Sequence, residues 1–150
     1  MIAYGLQALE WLATLQTSPS GIFLPLGSQS ASMNGTQLAL FDHQPAEACA
    51  MTAACLQAYT ITEDRAWVRL LQSAFNWFLG RNQLNRWLYD ASSGGCRDGL
   101  KPDGLSENQG AESTVSFLMA LLDMSQCGLR LVPNAKAAGP GHRNINGDLH

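Results

Sequence analysis

Gln44-Pro45-Ala46-Glu47-Ala48 and Gln109-Gly110-Ala111-Glu112-Ser113 stand 65 residues apart, and each opens onto a run of small and apolar residues. Leu9-Glu10-Trp11-Leu12 and Phe75-Asn76-Trp77-Phe78 form a second pair at a similar separation. Each half of the chain therefore reads in the same order: an amphipathic helix, a long glycine-containing loop, a Gln-x-x-Glu helix start, and a helix of small and apolar residues. A helix hairpin of this kind cannot bury its core face alone, so such repeats stack. Stacking brings equivalent loops to the same end. Both Gln-x-x-Glu starts are therefore expected at one rim, with the polar loops around them.

The helices follow from periodicity. Residues 2–17 carry Ile2, Leu6, Leu9, Leu12 and Leu15, with Trp11, at three-and-four spacing, and Ser18-Pro19-Ser20-Gly21 stops them. Ile22 to Gly27 reads as a short extended piece, with Pro25 confining it to an edge. Residues 28–40 are polar and irregular. A second helix starts at Gln44-Pro45, where proline suits the first helical position. Glu47 falls near the third, where a carboxylate meets free N–H groups and the helix dipole. From Ala46 to Tyr59 almost no charge occurs, so this helix is expected to be buried nearly all round. A third helix is expected from Thr62-Glu63-Asp64 to Leu79, capped by Gly80. Its Trp67 and Trp77, like Trp11 of the first helix, are expected in the core. A fourth runs from Ala111 to about Cys127, with Val115, Phe117, Leu118, Leu121 and Leu122 as its apolar positions.

Between the third and fourth helices lies Tyr89 to Ser113, a connection with glycines at 94, 95, 99, 104 and 110. Glycine takes positive φ without steric cost, so the segment is expected to turn repeatedly. A connection this long inside a compact domain is either functional or disordered. Its Cys96-Arg97-Asp98-Gly99-Leu100 centre argues for an ordered, functional loop. From Gly128 onward the periodicity vanishes and apolar content is too low for independent folding. The expected organisation is one helical module over 1–127 and a flexible tail over 128–150.

Of the 150 residues, 46% are hydrophobic and only 14% charged, so more of the surface than usual is available to meet other protein. The net charge of −3 and the lack of any Lys/Arg cluster give no reason to expect nucleic acid. No apolar run approaches the ~20 residues of a membrane span, and no signal peptide is visible. Cys49, Cys55, Cys96 and Cys127 show no Cys-x-x-Cys spacing and read as reduced thiols of a cytoplasmic protein. His43, His142 and His150 are scattered, so no metal site is expected. No Walker loop and no GxGxxG pattern occurs, and no cofactor is expected.

Phe41 to Ala48, Trp77 to Asn82, Leu88-Tyr89-Asp90, Gly94-Gly95-Cys96-Arg97-Asp98-Gly99-Leu100 and Glu107-Asn108-Gln109-Gly110-Ala111-Glu112-Ser113-Thr114 resemble an α/α-toroid module. The family is the six-hairpin glycosidase-like region found at the C-terminal end of some bacterial glycosyltransferases. The resemblance covers roughly residues 5–125. It implies an all-α fold, a partial α/α toroid of about two helix hairpins with long polar loops at one rim. The family has a ring of several hairpins, so the chain is expected to be a fragment of a longer glycosyltransferase-like protein or to cover its open faces with another copy. The implied partner is carbohydrate, met at the rim of inner-helix starts.

Sugar sites use carboxylates and amides for hydroxyl groups and aromatic faces for rings. Asp98 and Glu112 are the candidate catalytic pair. Asp42, Gln44, Glu47, Asn108 and Gln109 are candidate hydroxyl partners, and Trp87 or Tyr89 a candidate stacking face. A glycosidase would hold two carboxyls roughly 5–5.5 Å apart for retention or 6.5–9.5 Å for inversion. The alternatives remain open at this point: a sugar hydrolase or isomerase, a sugar-binding module, or a structural module. In the last case Glu47 and Glu112 serve only their helix starts, and Asp98 only closes a turn.

Overall fold

The computed structural model describes residues 1–27 and 42–128. The expectations for residues 28–40 and for the tail beyond Gly128 lie outside these residues. Four helices account for most of the described chain: α1 (Ile2–Leu15), α2 (Pro45–Thr62), α3 (Arg65–Phe78) and α4 (Ala111–Gln126). The expectation of an all-α fold needs one correction. The long connection before α4 contains an antiparallel two-stranded hairpin, β1 (Leu100–Lys101) and β2 (Gly104–Leu105). Leu100 pairs with Leu105 and Lys101 with Gly104.

The α2/α3 boundary also differs from the sequence reading. Thr62 ends α2, and the next helix starts three residues later than its Thr-Glu-Asp pattern indicated. Glu63 takes a left-handed conformation (φ 58°), and its N–H donates to Tyr59 O at 2.8 Å. Asp64 is then the N-cap of α3, its Oδ1 accepting from Ala66 N–H at 2.8 Å. The two-residue connection turns the chain back and lays α3 along α2. At its other end α3 closes with Gly80 at φ 91°. Arg81 N–H donates to Asn76 O and Gly80 N–H to Trp77 O, the paired bonds of a Schellman motif.

Helix α2 is the centre of the packing, touching α1, α3 and α4. Its buried positions are mostly small: Ala48, Cys49, Thr52, Cys55 and Ala58. Helix separation depends on side-chain size at the contact, so these residues let its neighbours lie close. Bulk comes from the partners. Phe75, Trp77 and Phe78 of α3 are fully buried. Phe117 of α4 sits between Phe75 and Phe78, with ring centroids at 5.9 and 5.5 Å. All four cysteines are free. Burial pushes the Cys55 and Cys96 thiols up to about 12.

Two apolar sets do not reach this core. Trp11 is 66% exposed, not buried like Trp67 and Trp77. On α4, Val115, Leu118 and Leu122 face outward, whereas Phe117 and Ala120 face in. The apolar positions read from the sequence on α1 and α4 thus divide between a packed side and an open one, and nothing within the described residues covers the open side.

Truncating Phe75 to alanine removes a ring shared by α3 and α4 and is expected to cost about 3–5 kcal/mol. Asp64→Ala, which loses one exposed cap, is expected to cost about 1 kcal/mol. Urea unfolding of the two variants measures both, and comparable losses would contradict the assignment of Phe75 to the central core.

Candidate functional site

The connection from α3 to α4 is tied down along its length. Asn82 is buried, and its amide nitrogen donates to Trp77 O at 2.8 Å and Arg86 O at 2.7 Å. Leu88 N–H donates to Phe78 O, and Arg97 N–H to Leu88 O. Tyr89 bridges to Cys96, and His43 to Leu100. Leu100 N–H donates to His43 O at 3.0 Å, while Asp42 and His43 N–H groups both donate to Leu100 O. The loop is thus fastened to the chain just before α2. A Cβ on Gly99 would lie 2.3 Å from His43 O, so the approach requires glycine there.

Asp98 holds the far end of the loop to the start of α4. Its Oδ1 accepts from Gly110 N–H at 2.7 Å and from Ser113 Oγ at 2.7 Å, and its Oδ2 accepts from the Asn108 amide. Asp98 N–H donates in turn to Asn108 O at 3.0 Å. These bonds, Ser113 foremost, hold the carboxyl below its ordinary range against the opposing effect of burial. Gly110 is the N-cap of α4 and has φ −73°, so its reason for being glycine is space. A Cβ there would sit 2.9 Å from Asp98 Oδ1. Gly95 is similar, since a Cβ would strike the Gln109 side chain at 2.2 Å. The sequence reading gave positive φ as the reason for all these glycines. At 95 and 110 the reason is close approach.

Asp98 lines an open cleft of about 280 Å³ together with Gln44, Pro45 and Ala46 from the start of α2 and Gly110, Ala111, Glu112 and Ser113 from the start of α4. The two helix starts do meet at one rim. Gln44 and Glu112 are exposed there, while Asp98 is half-buried.

The other expected site residues lie elsewhere. Glu47 points away from the cleft: its Oε2 accepts from Leu26 N–H at 2.6 Å and its Oε1 from Gly27 N–H at 3.3 Å. It lines a separate groove between α1 and α2, with Leu9, Leu12 and Ala50. The cause is helical register. Gln44 is itself the N-cap of α2, whereas in the second repeat Gly110, one residue beyond Gln109, is the N-cap of α4. Glu47 therefore occupies the third helical position and Glu112 the second. One residue of register turns a side chain by roughly 100° about the helix axis. Tyr89 stacks on Phe117 with ring centroids 4.5 Å apart, which commits its face to the core. Trp87 is half-buried beside Leu79 and does not line the cleft. Gln109 is turned into the loop, donating to Asp90 Oδ2 at 3.0 Å and accepting from Ser93 Oγ at 2.7 Å. Asp42 is half-buried at φ 65°, joined through its backbone to Leu100. Asn108 is exposed and bonded to Asp98.

Three residues of this arrangement escaped the sequence reading. Ser113 occupies the third position of α4, where a hydroxyl reaches back past the helix start, and that placement was a usable signal. Asp90 ties the other side of the loop, accepting from Ser92 N–H and Oγ and from Gln109. These bonds, the Ser92 hydroxyl first, hold its carboxyl down to about 2. Asn82 lay inside the Trp77-to-Asn82 piece but was given no role. Arg97 pairs with Glu107 at 3.1 Å on the surface, a contact of about 0–1 kcal/mol. Among the described residues no three His, Cys, Asp or Glu side chains gather to hold a metal ion, and no helix is long and apolar enough to cross a membrane.

Both loop carboxyls titrate lower in the folded chain than in the unfolded one. The stability they contribute is complete above the ordinary aspartate value of about 3.9 and is lost as pH falls through their folded values. Urea midpoints measured between neutral pH and about pH 2 should therefore fall more in the wild type than in Asp98→Asn, which is already weaker at neutrality. Parallel curves would remove Asp98 as a source of the acid sensitivity. Comparison of the chain with family models, with curated proteins and with solved structures gives no match.

Proposed function

We propose that the protein is a carbohydrate-contacting helical module, a two-hairpin portion of an α/α toroid of the kind attached to glycosyltransferase-like proteins. The sugar lies in the cleft between the starts of α2 and α4. The observation that carries this reading is that cleft: two helix starts and one loop carboxylate bordering about 280 Å³ of open space. Exposed Gln44 and Glu112 offer an amide and a carboxylate to sugar hydroxyls, and backbone N–H groups at two helix starts add donors. Asp98, Gly110 to Ser113 and Gln44 to Ala46, which border it, all fall within pieces that carry the family resemblance.

Binding is favoured over turnover by the state of Asp98. An ionised carboxylate has about four acceptor sites, and Asp98 already accepts three hydrogen bonds. Held ionised, it is a poor proton donor at neutral pH, and a general acid needs a raised pKa. A second reading, hydrolysis by an Asp98–Glu112 pair, draws on their sharing one cleft. In that reading Glu112 is the proton donor.

Titration of 15N-labelled protein with mono- and oligosaccharides tests the proposal. Shifts are expected at Gln44 and at Gly110 to Ser113, and Glu112→Gln should keep the fold and weaken binding about tenfold, the loss of roughly one charge-assisted hydrogen bond. If no sugar moves these resonances, the binding reading fails. Release of reducing ends by the wild type, abolished in Glu112→Gln, would replace it with the hydrolytic one.

A further inference from the structure

Among the described residues, the side chains bordering the cleft carry charge of one sign only. Asp98 and Glu112 are acidic, and no Lys, Arg or His lines the space. Lys101 stands near enough for its field to favour the ionised form of Asp98, but it lies exposed on β1 and does not border the cleft. The hydrogen bonds to Asp98 keep it ionised at neutral pH. They number three, and a carboxylate has about four acceptor sites, so capacity for one more donor remains. Glu112 is exposed at the same rim.

Helix starts ordinarily draw anions, and two of them meet here. Both are already served by the chain's own acids. At α4, Asp98 takes the Gly110 N–H and the Ser113 hydroxyl, the groups that an external anion would need. Glu112 adds a second negative charge in the first turn. At α2, Pro45 has no N–H to offer, and the Glu47 N–H donates to Gln44 O at 3.2 Å. Glu47 puts a carboxylate in that first turn as well, although it binds Leu26 and Gly27 outside the cleft. A helix dipole is equivalent to roughly half a unit charge at its start, whereas each carboxylate carries a whole one. The carboxylates therefore decide the sign of the potential in about 280 Å³ of space.

We infer that the cleft selects sugars bearing a protonated amino group and rejects uronic acids and sugar phosphates, an inference that rests on the carbohydrate reading above. The ammonium group donates to the remaining acceptor site of Asp98 and to Glu112, while Gln44 meets neutral hydroxyls. Hydrogen bonds between ionised partners are roughly twice as strong as neutral ones. An acidic sugar brings like charge against both carboxylates and finds the Gly110 and Ser113 donors taken.

A matched series of sugars tests the preference: glucosamine, N-acetylglucosamine and glucuronic acid, titrated into 15N-labelled protein and followed at Gln44 and Gly110 to Ser113. Glucosamine should bind about tenfold more tightly than N-acetylglucosamine, the worth of one charge-assisted hydrogen bond. Glucuronic acid should bind most weakly. In Glu112→Gln the gap between the first two should shrink. Equal affinity for these two, tighter binding of glucuronic acid, or a gap unchanged in Glu112→Gln overturns the amino-sugar preference and leaves the carbohydrate reading standing. Silence of these resonances with every sugar removes both.

Discussion

One carboxylate governs the geometry of the rim. Asp98 gathers the Gly110 N–H, the Ser113 hydroxyl and the Asn108 amide, and so satisfies groups that a helix start otherwise leaves without partners. Without an acceptor there, α4 would begin with unpaired donors facing a half-buried carboxyl-shaped gap. Because Asp98 sits next to Gly99 and Leu100, the same residue relays the position of α4 to the backbone of His43 and onward to α2. The cleft exists where it does because this short path fixes two helix starts that are distant in sequence.

The core beneath the rim follows a division of labour between small and large side chains. Helix α2 contributes alanine and cysteine, and α3 contributes three fully buried aromatic rings. Phe117 and Tyr89 extend that aromatic group from α4 and from the loop. The loop is therefore part of the hydrophobic interior as well as of the polar rim. Leu88, Cys96 and Leu100 are all fully buried, which explains how about 30 residues with little regular structure remain ordered.

Much of this was legible in the residues. Pro45 marked the start of α2 because its ring fits only the first turn. Gly80 marked the end of α3 because the closing motif needs positive φ. The meeting of the two Gln-x-x-Glu starts followed from the repeat. What the residues concealed has physical causes. Thr62-Glu63-Asp64 contains two plausible caps, and the choice between them rests on whether Glu63 adopts the left-handed conformation. Glu47 and Glu112 look equivalent in one dimension, yet one residue of register sends them to different surfaces. Tyr89 reads as a ring-binding aromatic until Phe117, 28 positions away, is seen against its face. Trp11 shows the limit of periodicity, which reports that a face is apolar and not what lies against it.

The buried sulfurs lead to a different kind of conclusion. A thiol pushed up to about 12 by burial forms little thiolate at neutrality, and the thiolate is the species that attacks oxidants and electrophiles. Cys55 and Cys96 thus behave as compact apolar fillers, stabilising the interior through contact alone. Burial keeps both sulfurs away from oxidants in solution, whereas Cys127, just past the end of α4, is only half-buried.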